Sequence, residues 1–237
     1  MNDDLRANLE TVRRRIAAAA RRAGRDPGEV TLVAVTKTVA ADAIFRLASL
    51  GQVDFGENRP QDLVAKRAAL AGAPGLPAGG VRWHMIGHLQ RNKVRQTLGA
   101  MDVIHAMDSI ELAESVSAEA VRAGRAEVPC FVQVNVSGEE SKGGFAPRDL
   151  ETVLRRVASL PALRIDGLMT MAPQSDSPED ARPVFRALRE LRDWARASGY
   201  LRGSCLSMGM SEDFEVAVEE GATIVRVGRA LVGSSQP

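Results

Sequence analysis

The stretch TLVAVTKTVAADAIFRLASL at residues 31–50 sets the pattern of the chain. A strand is predicted over 31–36, and the apolar run that begins at Leu32 within it is as expected of a strand covered on both faces. Lys37 closes that run, and a helical pattern follows over 39–49. A covered strand leading directly into a helix is the repeating unit of parallel α/β folds.

Outward from this stretch the same unit recurs. Further strands are predicted at 53–55, 82–86, 102–106, 130–135, 163–169, 204–207 and 223–227, which with the first makes eight. Helical patterns alternate with them near 39–49, 60–70, 90–98, 109–123, 147–158, 179–198 and 212–219, and a last short one starts at 229. The alternation predicts a (β/α)8 TIM barrel. A doubly wound open sheet is the rival, but no G-x-G-x-x-G follows the first strand. Leu5, Leu9, Val12 and Ile16 recur at helical spacing, so an extra amphipathic helix over 3–23 precedes the barrel, with Gly24 placed to end it. The whole chain, 1–237, is expected to form a single domain. Residues 71–80 (AGAPGLPAGG) read as a flexible insertion before the third strand.

Charge and composition narrow the function classes. A formal net charge of +1, with 45% hydrophobic and 26% charged residues, gives no global field favouring nucleic acid or an anionic membrane. The densest arginine groups, RRR at 13–15 and RR at 21–22, fall on the polar side of the first helix and read as a solvated face. The opening MNDDLRAN is acidic where a signal peptide would be basic, and no segment is long and apolar enough to span a bilayer; a cytoplasmic protein is expected. Cys130 and Cys205 lie far apart in or beside apolar runs and read as buried thiols. His84 and His88 lack a carboxylate ligand at helical spacing, so no metal site is expected.

Active-site groups of a barrel stand at the C-terminal ends of its strands, and the unusual polar residues gather there. Lys37 follows strand one; Gly56, Glu57 and Asn58 follow strand two; His84 and Gly87 close strand three; Asn135 closes strand five. Ser207 follows strand seven, and Arg226 with Gly228 closes strand eight. A strand-end lysine has two readings: an amine made nucleophilic by desolvation and nearby cations, as in Schiff-base chemistry, or an ion-pair partner of the next strand. Only Lys37, Lys66, Lys93 and Lys142 are lysines within a lysine-plus-arginine total of 31, which makes a lysine at this position more telling.

Barrels often bind phosphate with the loops after strands seven and eight. SMGMS at 207–211 and VRVGRALVG at 225–233 occupy those places, with a Ser207 hydroxyl to donate and Gly228 to let backbone N–H groups approach an anion. An amine and a phosphate cup in one mouth point to pyridoxal phosphate (PLP). Arg226 is placed to face the pyridine nitrogen, and because a guanidinium only donates, that nitrogen would stay unprotonated and the ring would be a poorer electron sink. Its other reading is an ion pair with a strand-end carboxylate. A class I aldolase, whose lysine attacks a sugar-phosphate carbonyl held in the same cup, fits the lysine and the cup equally.

Seven ordered blocks carry a resemblance: AVTKT at 34–38, FGEN at 55–58, WHMIGHLQRNK at 83–93, VNVSGEESKGG at 134–144, GLMTM at 167–171, LSMGMSEDFEVAV at 206–218 and VRVGRALVG at 225–233. Together they resemble the pyridoxal phosphate homeostasis protein family, also called the YggS or PROSC family. The resemblance implies a PLP-binding barrel similar to the N-terminal domain of alanine racemase, holding the cofactor on Lys37 as a Schiff base for storage or delivery, with no or weak turnover. It implies that Ser207, Gly228 and Arg229 contact the phosphate, the last two largely through backbone, and that Arg226 faces the ring nitrogen. Asn58 and Met208 are implied to lie close to the cofactor. Lys142 matches a lysine of the family and reads either as a residue of cofactor uptake and release or as an exposed loop lysine. The family's usual tyrosine after FGEN is replaced by Arg59.

A PLP-dependent amino-acid racemase is the alternative. Proton transfer on both faces of a substrate carbon needs a second acid/base opposite the lysine. Racemases of this barrel type draw a tyrosine from a second domain, and this chain is expected to end at Pro237 without one. Its single tyrosine, Tyr200, follows the long helix away from the expected rim, and His84 reads as a substitute base or as a hydrogen-bonded core residue. No catalytic residue is therefore assigned, and the expectation is a monomer with apo PLP-dependent enzymes as acceptors.

Overall fold

The computed structural model describes residues 2–73, 75–77, 79–139 and 142–233. Eight parallel strands close into a barrel in chain order. They are β1 (Thr31–Val35), β2 (Asp54–Glu57), β3 (Arg82–Met85), β4 (Val103–Met107), β5 (Val128–Gln133), β6 (Leu163–Met169), β7 (Cys205–Ser207) and β8 (Ile224–Val227). Pairing of β1 with β8 completes the circle, with Thr31 level with Ile224 and Ala34 level with Val227. Around and before them run α1 (Asn2–Arg22), α2 (Ala41–Ser49), α3 (Pro60–Leu70), α4 (Val94–Thr97), α5 (Ile110–Arg122), α6 (Leu150–Ala158), α7 (Arg182–Ala197), α8 (Phe214–Glu219) and α9 (Arg229–Val232). The expected (β/α)8 barrel and its leading helix are both present. Tight 3₁₀ turns open α4, α6 and α7, and at Pro147 and Pro178 they begin on proline, whose missing N–H would be unpaired there anyway. Residues 74 and 78 of the insertion lie outside the described residues.

Side-chain alternation along the strands divides the core in two. Leu32 and Ala34 of β1 point into the layer between sheet and helices, whereas Val33 packs inside the barrel with Ala106, Phe131, Met169 and Ile224. The outer layer is the larger. It fully buries Phe55, Trp83, Phe185 and Phe214, and burying one such side chain contributes about 1.5–3 kcal/mol relative to exposure. The interior holds less apolar volume because it shares its space with Asp54, His84, His105, Ser207 and Arg226, all buried.

Leu9, Val12, Ile16, Ala19 and Ala20 bury one face of α1 against its neighbours, chiefly α8 and α9. Gly24, at φ +67°, turns the chain away after the helix. The arginine clusters of α1 are less solvated than their pattern suggests, because the polar edge of the helix meets acidic residues of α8. Arg15 pairs with Glu215 at 2.8 Å and Arg22 with Glu219 at 2.7 Å, while Arg13 donates to the Gly51 carbonyl at 3.1 Å. Arg25 then closes the C-terminal end of α8 by donating to the carbonyls of Val218 and Ala222 at 2.8 and 2.9 Å. Cys130 is buried and Cys205 only half-buried, both as free thiols. Among the described residues no helix is long and apolar enough to cross a membrane.

Candidate functional site

Lys37 sits in the turn after β1, exposed, on the parity of the interior-facing Val33. Among the described residues nothing engages its amine through a hydrogen bond or ion pair. The backbone beneath it is firmly tied. Thr36 donates its hydroxyl to Glu57 Oε1 at 2.5 Å, and Lys66 Nζ bridges the Thr36 carbonyl at 2.6 Å and the same carboxylate oxygen at 2.7 Å. Glu57 is fully buried, so this ion pair is shielded from water and joins β1, β2 and α3 just below the lysine. The sequence marked Glu57 only as a rim residue and gave Lys66 no role. A carboxylate in a covered strand needs a partner, and α3, which directly follows β2, was the place to look for it.

Arg226 lies inside the barrel, 5% exposed. Its Nη1 donates to Ser207 Oγ at 2.6 Å and its Nη2 to the Thr170 carbonyl at 3.0 Å. Among the described residues no carboxylate forms an ion pair with it, so the ion-pair reading of this arginine fails. Burial lowers its pKa to about 10, opposed by the charge of Asp213, and the group stays protonated at neutral pH.

Ser207 is placed differently from the expected phosphate contact. It is the last residue of β7 and faces inward, fully buried, where its hydroxyl is shared between Arg226 and His105 Nδ1, the latter at 2.8 Å. Ser211, four residues on, takes up the rim position. Its hydroxyl oxygen accepts from the backbone N–H groups of Gly228 at 3.3 Å and Ala230 at 3.5 Å. An oxygen already stands where N–H groups converge, and the donors suit an anionic oxygen.

Two glycines permit this approach. Gly209 has φ +92°, and a Cβ there would lie 2.6 Å from Ala217 Cβ. A Cβ on Gly228 would press on Val35 at 3.3 Å. The loop is pinned by Arg226 N–H to the Gly209 carbonyl at 2.9 Å and by Met210 N–H to Asp213 Oδ1 at 2.6 Å. Burial pushes the Asp213 carboxyl above its ordinary value, against the N–H it accepts. The Met208 side chain belongs to the outer hydrophobic layer, so only its backbone faces the mouth. Arg229 is exposed and pairs with Glu212 at 3.1 Å, which likewise leaves its backbone for the cup. Asn58 stands half-buried directly after β2, followed by exposed Arg59.

Other candidates lie elsewhere. Lys142 is half-buried in the loop after β5, whose shape is set by Asn135 Nδ2 donating to the carbonyls of Glu139 and Lys142, each at 2.9 Å. Residues 140 and 141 beside it lie outside the described residues. Tyr200 is in the outer helical layer, its hydroxyl bonded to Glu151 at 3.1 Å. His84 is a hydrogen-bonded interior residue, 3% exposed, between Asp54 and His105.

Residues 7–236 match the family model described as the N-terminal domain of alanine racemase. The pyridoxal phosphate homeostasis protein of Aquifex aeolicus is 41% identical over 225 residues, covering 95% of this chain and 96% of its own. PipY of Synechococcus elongatus PCC7942, solved with PLP bound, superposes with a TM-score of 0.81 at 33% identity, covering 97% of this chain and all of PipY. The alanine racemase of Clostridium difficile 630 superposes at 0.73 with 15% identity, spanning 99% of this chain but 57% of the racemase, a likeness of fold. The chain belongs to the pyridoxal phosphate homeostasis protein family, built on the barrel of the alanine racemase N-terminal domain.

Proposed function

We propose that this barrel binds pyridoxal phosphate at its C-terminal mouth and serves cofactor homeostasis by storing or delivering it, with little or no turnover. What supports the reading is an unengaged Lys37 in the turn after β1, a buried Arg226 on β8 and the N–H groups of Gly228 and Ala230 directed at the Ser211 oxygen, in a family whose relatives bear that name. PLP supplies an aldehyde that condenses with an amine, a pyridine nitrogen and a phosphate dianion. Lys37 is the covalent anchor. Arg226 would donate toward the ring nitrogen and so keep it unprotonated. The backbone N–H groups of Gly228, Arg229 and Ala230, with the Ser211 hydroxyl, would hold the phosphate, and Asn58 and the Met208 backbone would lie beside the cofactor. Ser207 acts one step back, through Arg226.

Two features support holding over turnover. A donor-only arginine at the ring nitrogen weakens the ring as an electron sink, and the tyrosine and histidine that could serve as a second acid/base are bonded away from the mouth. The proposal includes a monomeric, cytoplasmic carrier, one barrel domain over the chain, that passes PLP to apo enzymes. Titration with PLP followed by borohydride reduction and peptide mapping tests the reading: the protein should turn yellow and carry the label on Lys37. A colourless, unlabelled protein would rule it out.

A further inference from the structure

A line of hydrogen bonds crosses the barrel interior from one face to the other. It begins at Arg82, 60% exposed at the start of β3, which pairs with Asp54 at 2.8 Å. Asp54 Oδ1 contacts His84 Nε2 at 2.8 Å, His84 Nδ1 contacts His105 Nε2 at 2.8 Å, and His105 Nδ1 contacts Ser207 Oγ at 2.8 Å. Ser207 then meets Arg226. Five strands contribute: β2, β3, β4, β7 and β8.

With one proton on each imidazole, the two ends dictate the direction of every bond between them. A guanidinium only donates and an ionised carboxylate only accepts. Burial works against the charge of Asp54, but hydrogen bonds from His84 and Arg82 outweigh it and hold its pKa below the ordinary value, so it is ionised at neutral pH. His84 Nε2–H must therefore donate to Asp54. A single proton on each ring then has His84 Nδ1 accept from His105 Nε2–H, and His105 Nδ1 accept the Ser207 proton. The Ser207 oxygen is then left to accept from Arg226. Neutrality of His105 follows from its place: fully buried, against the edge of Phe131 at 4.7 Å, with His84 on one side and Arg226 beyond Ser207 on the other. The titratable or charged groups facing the pair are Asp54 and Arg82 from below and Arg226 from above, with Asp213 acting on Arg226.

We propose that Asp54, His84, His105 and Ser207 form a one-way hydrogen-bond chain that fixes Arg226 as a donor at the barrel mouth, which makes His84 and His105 positioning residues for the cofactor site. The role at the mouth rests on the reading that Arg226 faces the PLP ring nitrogen. The chain itself does not depend on that reading. It explains how an arginine without a carboxylate in contact is held: the polarised imidazoles carry the influence of the Asp54 charge toward it.

The test has two arms. In the first, ¹⁵N NMR of the protein without PLP, at about pH 8, reads the tautomers. His84 and His105 should each be protonated at Nε2 and bare at Nδ1, with His88→Gln removing the third set of signals. Either imidazole carrying its proton on Nδ1 alone would overturn the chain. In the second arm, PLP affinity is measured by the visible band. His105→Phe, which can neither accept from Ser207 nor donate to His84, should weaken PLP about tenfold, the scale of one lost buried hydrogen bond. His105→Gln, whose amide can accept at one end and donate at the other, should restore most of the affinity, and borohydride labelling of Lys37 at saturating PLP should be unchanged in both. Wild-type affinity in His105→Phe would overturn the positioning role. Should that variant not fold, the wild-type tautomers and His105→Gln still decide. Failure of the wild type to take up any PLP would overturn the cofactor reading and the role at the mouth, whereas wrong tautomers overturn the chain alone.

Discussion

The Arg226 guanidinium and the Ser207 hydroxyl, 2.6 Å apart inside the barrel, form one unit that neither residue could maintain alone. Arg226 has no carboxylate ion-pair partner among the described residues, and Ser207 has no exposure through which water could replace the arginine. Ser207→Ala should therefore leave a donor of Arg226 unpaired and His105 Nδ1 without its proton donor. The expected loss is about 1–3 kcal/mol of folding stability, measured by urea unfolding, together with weaker PLP retention. Unchanged stability and retention would mean that Arg226 is held by the Thr170 carbonyl alone.

Lys37 should behave in the opposite way. It is exposed in a turn and engaged by nothing else described, so Lys37→Ala should shift stability by no more than about 0.5 kcal/mol. The visible absorbance that appears with PLP should vanish entirely. If that absorbance persisted at full strength, the covalent anchor would have to be another amine.

Much of the fold was legible because its signals are local. Apolar runs marked the eight strands, and Lys37, Arg226 and Gly228 stood out by residue type at strand ends. What was not legible depends on parity and closure. The predicted strand at 204–207 ends on Ser207, as β7 does, but the residue pattern did not say which face its hydroxyl takes: side chains alternate at each residue, and here the alternation turns it into the interior and leaves the rim to Ser211. His105 and Ser207 are 102 residues apart, and only closure of the barrel brings them together. A faint signal was present, since Asp54, His84 and His105 are polar residues within strands, and buried polar groups must find partners.

The clamp beneath Lys37 gives a third prediction. Lys66→Met removes the only ion-pair partner described for the fully buried Glu57 carboxylate. Breaking a buried pair by removing one member costs about 3–5 kcal/mol, because the remaining charge is uncompensated. The variant should unfold at markedly lower urea. Adding Glu57→Leu, which removes the stranded charge, should recover much of the loss even though a second polar group has been deleted. A double variant no more stable than Lys66→Met would show that Glu57 does more than pair with Lys66.

The buried histidine also gives stability a pH dependence with a defined sign. Desolvation, with His84 and Arg226 nearby, holds His105 well below the ordinary histidine value of 6.5 in the folded protein. Between that depressed value and 6.5 the unfolded chain binds a proton that the folded protein refuses, so stability is full above pH 6.5 and falls as pH drops below it. The slope from this group is about 1.4 kcal/mol per pH unit. Asp54, Glu219 and Glu220, all held below their ordinary values of 3.8 to 4.5, add their loss only at lower pH. Asp213, raised by burial, gains a proton more readily when folded and offsets part of that acid limb. Urea midpoints should thus be flat from about pH 8 to the ordinary histidine value and then decline. In His105→Gln the part of the decline that His105 contributes should be absent, because the amide has nothing to titrate.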